Sequence, residues 1–126
     1  MTLRAAVMTM ISSAGFTQPI AWPGVNFTPP NNGPWLEVIV LENDPQQDYI
    51  GNDAPVCERG IITISAVTRP GLGEVGIETL ARTVQSKFPK GTVISGALRV
   101  TKAPSRRSTI VEPDRIMLPV DIVYGQ

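Results

Sequence analysis

The sequence predicts an α+β fold: one mostly antiparallel or mixed β-sheet of four to five strands, two α-helices packed on it, and long loops. Three observations predict it. Apolar residues recur at helical spacing in two segments, near residues 2–15 and again from Ile77 to Phe88. Apolar runs rich in β-branched residues stand between clusters of turn formers, as in "WLEVIVLE" and "ERGIITISAVTR". The closing segment "RIMLPVDIVY" alternates with a period of two. At 126 residues the chain is sized for one domain, taken as residues 1–126.

In chain order, the first helix places Leu3, Ala6, Val7, Met10 and Ala14 on one face, and Gly15 is its stop. Arg4 and the short apolar stretch loosely imitate a signal peptide, but Thr9 interrupts the stretch, so a retained helix is expected. The segment from Ile20 to Pro34 then carries Pro23, Pro29, Pro30 and Pro34. Proline removes a backbone donor and fixes φ, so this arm is expected to stay out of regular ladders and to be stiff. Trp35 to Glu42 is almost continuously apolar, which suits a strand buried on both faces. Residues 43–56 are turn formers and read as a long loop.

The next strand sets Gly60, Ile62, Ile64 and Ala66 on one face and Thr63 and Ser65 on the other. The second helix follows Gly73. It aligns Ile77, Leu80, Ala81, Val84 and Phe88, turns Arg82, Gln85 and Lys87 to water, and ends at Pro89 and Gly91. "TVISGALRV" reads as one strand weakened at Gly96, and "TKAPSRRSTIVEPD" as a second long loop or a protruding hairpin. In the last strand Ile116, Leu118, Val120, Ile122 and Tyr124 face inward, while Arg115, Met117, Pro119 and Asp121 face outward. Pro119 cannot donate to a ladder, so the strand is expected to have a free or covered side there.

Composition excludes several classes of chemistry. The chain has no histidine, the commonest general base and metal ligand. Cys57 is the only cysteine, so an internal disulfide and a cysteine-only metal site are both excluded. Cys57 itself reads as a small buried residue, with only Arg59 nearby to lower its pKa. No apolar run approaches the ~18 residues of a membrane span, so no membrane partner is expected. The formal net charge is zero and only 17% of residues are charged, against about 25% in typical soluble domains. So little charge implies surface hidden against partners.

Three motifs invite a sharper reading. Gly71-Leu72-Gly73-Glu74-Val75-Gly76 is formally GxGxxG, but Glu74 stands where a phosphate must sit, and Thr92 to Lys102 holds no acid for a ribose. A turn after Pro70 with Glu74 at a helix start is the plainer reading. Asp44, Asp48 and Asp53 lack the glycine and glutamate of an EF-hand loop and read as solvated. Arg106 and Arg107, with Lys102 and Arg115 nearby, are either a solvated hairpin tip or a loop reaching an acidic neighbour or DNA phosphates. Trp22 and Trp35 are core residues, interface anchors or both.

The helix followed by "PIAWPGVNFTPP", then "GPWLEVIVL", "RGIITISAVTRPGLG", a helix ending in "SKFPKGT" and the strand "IMLPVDIVY" together resemble the tail-terminator proteins of long-tailed bacteriophages. That family includes a phage-related domain of unknown function. The resemblance spans nearly the whole chain, and its most specific part is "AWPGVNFTP" with the following "GPWL". It implies a structural virion protein that is not an enzyme and has no cofactor or catalytic residue. The implied unit is a homohexameric ring that caps the head-proximal end of the tail tube, stops tube polymerisation and offers a joining face to the head. Its implied partners are other copies of itself, the tail tube protein, a head-connector or head-completion protein and, non-specifically, passing DNA. Its implied location is the virion tail, and the host cytoplasm during assembly. Trp22, Pro23, Phe27, Pro29, Pro30, Trp35 and Pro119 are then expected at subunit or tube interfaces, and Arg106 and Arg107 toward the lumen or a partner. Another phage ring protein, such as a head-closure or tube subunit, is the alternative; a monomeric binding module or small enzyme would need a deep polar pocket.

Overall fold

A computed structural model describes residues 3–29, 33–42, 46–47, 56–57, 59–71, 75–95 and 98–125. Two helices, α1 (Leu3–Ser12) and α2 (Val75–Lys87), lie on one face of a mixed sheet. Its strands are β1 (Ile20–Ala21), β2 (Trp35–Glu42), β5 (Arg59–Thr68), β6 (Val93–Ser95), β7 (Leu98–Val100), β8 (Ser105–Arg106), β9 (Ile110–Val111) and β10 (Ile116–Gly125). A separate two-stranded ladder joins β3 (Gln46–Gln47) to β4 (Val56–Cys57). The main sheet runs in the order β1-β2-β5-β10-β7-β6, with β8 and β9 also paired to β10. The class is the expected α+β, but the sheet has more strands than the four to five expected.

The centre is a three-stranded antiparallel block. β10 pairs with β5 from Ile116–Thr68 to Gly125–Arg59, and β2 pairs with β5 from Trp35–Val67 to Glu42–Gly60. Alternation sends Leu36, Val38 and Val40, Ile62, Ile64 and Ala66, and Leu118, Val120, Ile122 and Tyr124 to the helix side, where all are buried. Gly60 lies opposite Tyr124 in this ladder. A Cβ added at Gly60 would collide with the Tyr124 ring and the Leu41 carbonyl, so the glycine makes room for the largest side chain of the core.

α2 meets β5 and β10 through Ile77, Leu80, Ala81, Val84 and Phe88, all buried as the spacing predicts. A helix this short is marginal alone, so burial holds it: each large apolar side chain contributes about 1.5–3 kcal/mol. Two residues assigned to water instead reach other elements. The Lys87 ammonium donates to the Ala14 carbonyl at 2.7 Å and lies 5.5 Å from the Phe16 ring centroid. Gln85 Nε2 donates to the Pro104 carbonyl at 3.0 Å. α1 contributes Ala6, Val7 and Ile11 to the core, and Gly15, at φ 82°, stops it as expected.

Three local expectations are corrected. The arm does enter the sheet: Ile20 and Ala21 pair parallel with Leu36 and Glu37, ahead of the first proline that would forbid it. "TVISGALRV" is not one strand, because β6 and β7 pair antiparallel with each other and the chain reverses between them. The presumed second loop lies along β10 as its ragged neighbour. From Val100 opposite Tyr124 to Val111 opposite Ile116, it is interrupted where Lys102, Ala103 and Pro104 span the place of Ile122, and where Ser108 and Thr109 span that of Leu118. It closes onto β10 through the Glu112 amide and the Arg115 carbonyl, 2.8 Å apart.

Gly60→Ala is expected to lower unfolding stability by about 1–3 kcal/mol, since the added carbon meets backbone as well as the Tyr124 ring. Urea denaturation checks it; an unchanged midpoint would mean that Tyr124 does not pack over Gly60.

Candidate assembly surface

The helices cover one side of the sheet and leave the other to be explained. That outer face carries Trp35, Glu37, Ile39 and Leu41 of β2, Ile61, Thr63, Ser65 and Val67 of β5, and Met117, Pro119, Asp121 and Val123 of β10. Its two ends differ. Toward the start of β2, Trp35 and Val67 are buried, as are Thr63, Ser65 and Pro119. Toward the end of β2, Ile39 and Leu41 are exposed at 49% and 54%. "WLEVIVLE" is therefore buried on one face only over its second half, contrary to the two-sided burial expected of it. The β-branched run is also what a one-sided strand with an apolar outer surface looks like, so composition could not separate the cases.

Two carboxylates on this face are held by arginines. Glu37 Oε1 accepts from Arg115 at 2.7 Å and, more weakly, from the Trp35 indole at 3.4 Å. Asp121 accepts from the Thr63 hydroxyl at 2.9 Å on one oxygen, and its other oxygen lies 3.0 Å from Arg107 Nε. These contacts tie the turn after β9 and the outer strand lane to the central ladder, which explains acids within otherwise apolar strands.

The residues expected at interfaces separate into distinct groups. Trp22 is half-buried against the chain's own core. Pro23 and Gly24 follow it in a tight turn, closed by the Val25 amide on the Trp22 carbonyl at 3.2 Å, with Gly24 at φ 74°. Phe27 and Pro29 are also half-buried, and the Pro29 carbonyl accepts from Arg69 at 3.4 Å. Pro30 lies outside the described residues. Trp35, at 3% exposure, serves the interior of the chain. Pro119 is buried too. Its carbonyl accepts from the Arg107 amide at 2.9 Å, so the side lacking a donor is covered by the chain's own outer lane and is not a free edge.

Arg106 and Arg107 do not form a protruding tip. They sit in the lane beside β10 and alternate across it. Arg106 turns to the helix side, 3.8 Å from Glu78, whose carboxylate Arg82 also meets at 2.8 Å. Arg107 turns to the outer face and Asp121. Both are paired within the chain, so the basic cluster foreseen from adjacency in sequence is split. Gly71, at φ 92°, takes the turn after Pro70, and Leu72, Gly73 and Glu74 lie outside the described residues. So do Asp44, Asp48 and Asp53. Among the described residues, no group of three or more metal-ligating side chains is assembled, and no helix is long and apolar enough to cross a membrane.

Sequence reasoning missed the exposed apolar residues: among the described residues these are Ile39 and Leu41 on the outer face, Ile110 and Val111 at the far turn, exposed at 40% and 69%, and Val25 and Val93 elsewhere. The only available signal was Glu37, which marks the odd-numbered side of β2 as the one that meets polar groups.

In a double-mutant cycle, Glu37→Gln and Arg115→Gln are expected to show a coupling of about 0.5–1 kcal/mol in unfolding stability that shrinks in high salt, since both groups are partly screened. Additive effects would show that the ion pair contributes nothing to holding the turn.

A search of curated protein sequences finds no match. A solved structure is similar over 98% of this chain and 92% of its own, with 25% identity and a TM-score of 0.77. The family model described as phage tail terminator protein matches residues 2–124. The match takes in both helices, the arm and nearly all of the β5–β10 ladder, and the chain therefore belongs to the phage tail terminator family, whose proteins play a structural part in phage tail assembly.

Proposed function

We propose that this chain terminates the tail: six copies close into a ring at the head-proximal end of the tube, halt further polymerisation and present the face on which the head is joined. The observation that carries this reading is the family match over residues 2–124. The exposed Ile39, Leu41, Ile110 and Val111 fit it, because a low-charge chain with apolar residues at separate places on its surface suits contacts between unlike patches. A ring requires contacts of that kind, in which each copy offers one patch forward and another behind.

In this reading the partners are further copies, the tail tube protein and a head-connector or head-completion protein, first in the host cytoplasm and then in the virion. The half-buried arm residues Trp22, Pro23, Phe27 and Pro29 contribute to tube or subunit contacts at modest entropic cost, since the prolines have already restricted the segment. Trp35 and Pro119 act from within, by shaping the face that others touch. Arg107, with its side chain 53% exposed, is the arginine better placed to meet a partner's phosphate or carboxylate, although it would have to share its charge with Asp121.

Purified tube protein polymerised with and without this chain, and viewed by electron microscopy, tests the proposal. Short tubes closed at one end by a single ring are expected in its presence, and long open tubes in its absence. Rings of this chain that stack indefinitely would instead identify a tube subunit, and tubes of unchanged length would reject termination.

A further inference from the structure

We infer that two of the exposed apolar sites of one chain are the two halves of a single head-to-tail contact, with the turn at residues 110–115 of one copy seated on the outer-face patch Ile39, Leu41, Ile61 and Val123 of the next. The inference rests on the ring reading and specifies its interface.

Geometry sets the first condition. Leu41, Ile61 and Val123 are direct neighbours across β2, β5 and β10, and Ile39 follows in the next row of the same face. The turn begins where Val111 pairs with Ile116, at the opposite end of β10. From Ile116 to Val123 the strand covers about 23 Å at roughly 3.3 Å per residue. The two sites therefore lie at opposite ends of the strand and not side by side. Contact between them joins unlike surfaces and propagates around a circle.

Charge sets the second. Beside the patch, Arg59 and Arg99 both lie opposite Gly125, in the row beyond Val123 on the same face, and Arg99 is exposed. At the turn, Asp114 is exposed and Glu112 partly so. The nearby Arg115 lies 2.7 Å from Glu37 and 3.7 Å from Glu112, which leaves Asp114 as the exposed acid at the outside of the turn. The exposed Arg99 beside the apolar patch thus matches the exposed Asp114 of the apolar turn, which favours one orientation of the copies over patch-to-patch pairing. A second copy fits both conditions without any further component.

Mass measurement by light scattering or sedimentation up to millimolar concentration tests this, using wild type, Leu41→Glu and Val111→Asp. Both substitutions replace exposed side chains, and circular dichroism verifies that each variant is folded. Wild type is expected to associate, and each variant alone to remain a single chain, weakened roughly thirtyfold or more as for loss of an interface anchor. An equimolar mixture is expected to form pairs and nothing larger, because only one competent turn meets one competent patch. Charge reversal supplies a second line: Arg99→Asp and Asp114→Arg each weaken association, and together in one chain they restore it. Variants that associate as well as wild type, or a mixture that stays as single chains, would overturn the surface assignment and leave the ring reading standing. A wild-type chain that stays single at millimolar concentration would overturn the assignment. If that same chain also forms no ring at tube ends, the ring reading falls with it.

Discussion

The antiparallel ladder between β5 and β10 is the constraint on which the rest of the molecule depends. Its register is continuous from Ile116–Thr68 to Gly125–Arg59, and a slip of one residue would exchange every buried side chain for an outer one. With the register fixed, Ile62, Ile64, Ala66, Leu118, Val120 and Ile122 form a floor on which α2 lies, and β2 extends that floor with Leu36, Val38 and Val40. Everything distinctive about the surface follows from the residues this register turns the other way.

The outer face shows how one ladder serves two purposes. Near Trp35 and Val67 it is sealed by the chain itself, and its acids are matched by arginines from the lane beside β10. Near Leu41 and Val123 it is left apolar. The same strands therefore carry a finished half and an unfinished half. The unfinished half exposes Ile39 and Leu41, and the finished half anchors the turn after β9 through Arg115.

Much of this could be read in the residues. The stripe from Ile77 to Phe88 and the alternation from Ile116 to Tyr124 are long, regular signals produced by burial on one side, and both elements form where they predict. Gly15 marks a helix end because it adopts positive φ, which other residues resist, and Gly91 does so in the Pro89–Thr92 turn that follows α2. The lane from residue 101 to 111 was hidden for a physical reason. Two insertions break its period of two, so its pairing comes from the presence of β10 alongside and not from any local pattern. Ile20 and Ala21 form too short a strand to leave a signal, and proline nearby argued against them. The surface was less readable still. Neighbours in sequence such as Arg106 and Arg107 are separated by the pleat, while Ile39, Leu41, Ile61 and Val123 become neighbours only once three strands are aligned.

Amide hydrogen exchange on the isolated chain tests the primacy of the ladder most directly. The slowest amides should be those of Ile62 to Val67 and of Val120 to Ile122, exchanging only on global unfolding, with α1 and the lane beside β10 opening earlier. If α2 remained protected while the β5 and β10 amides exchanged freely, the helix and not the ladder would be the frame, and the placement of the outer face derived from this register would be wrong.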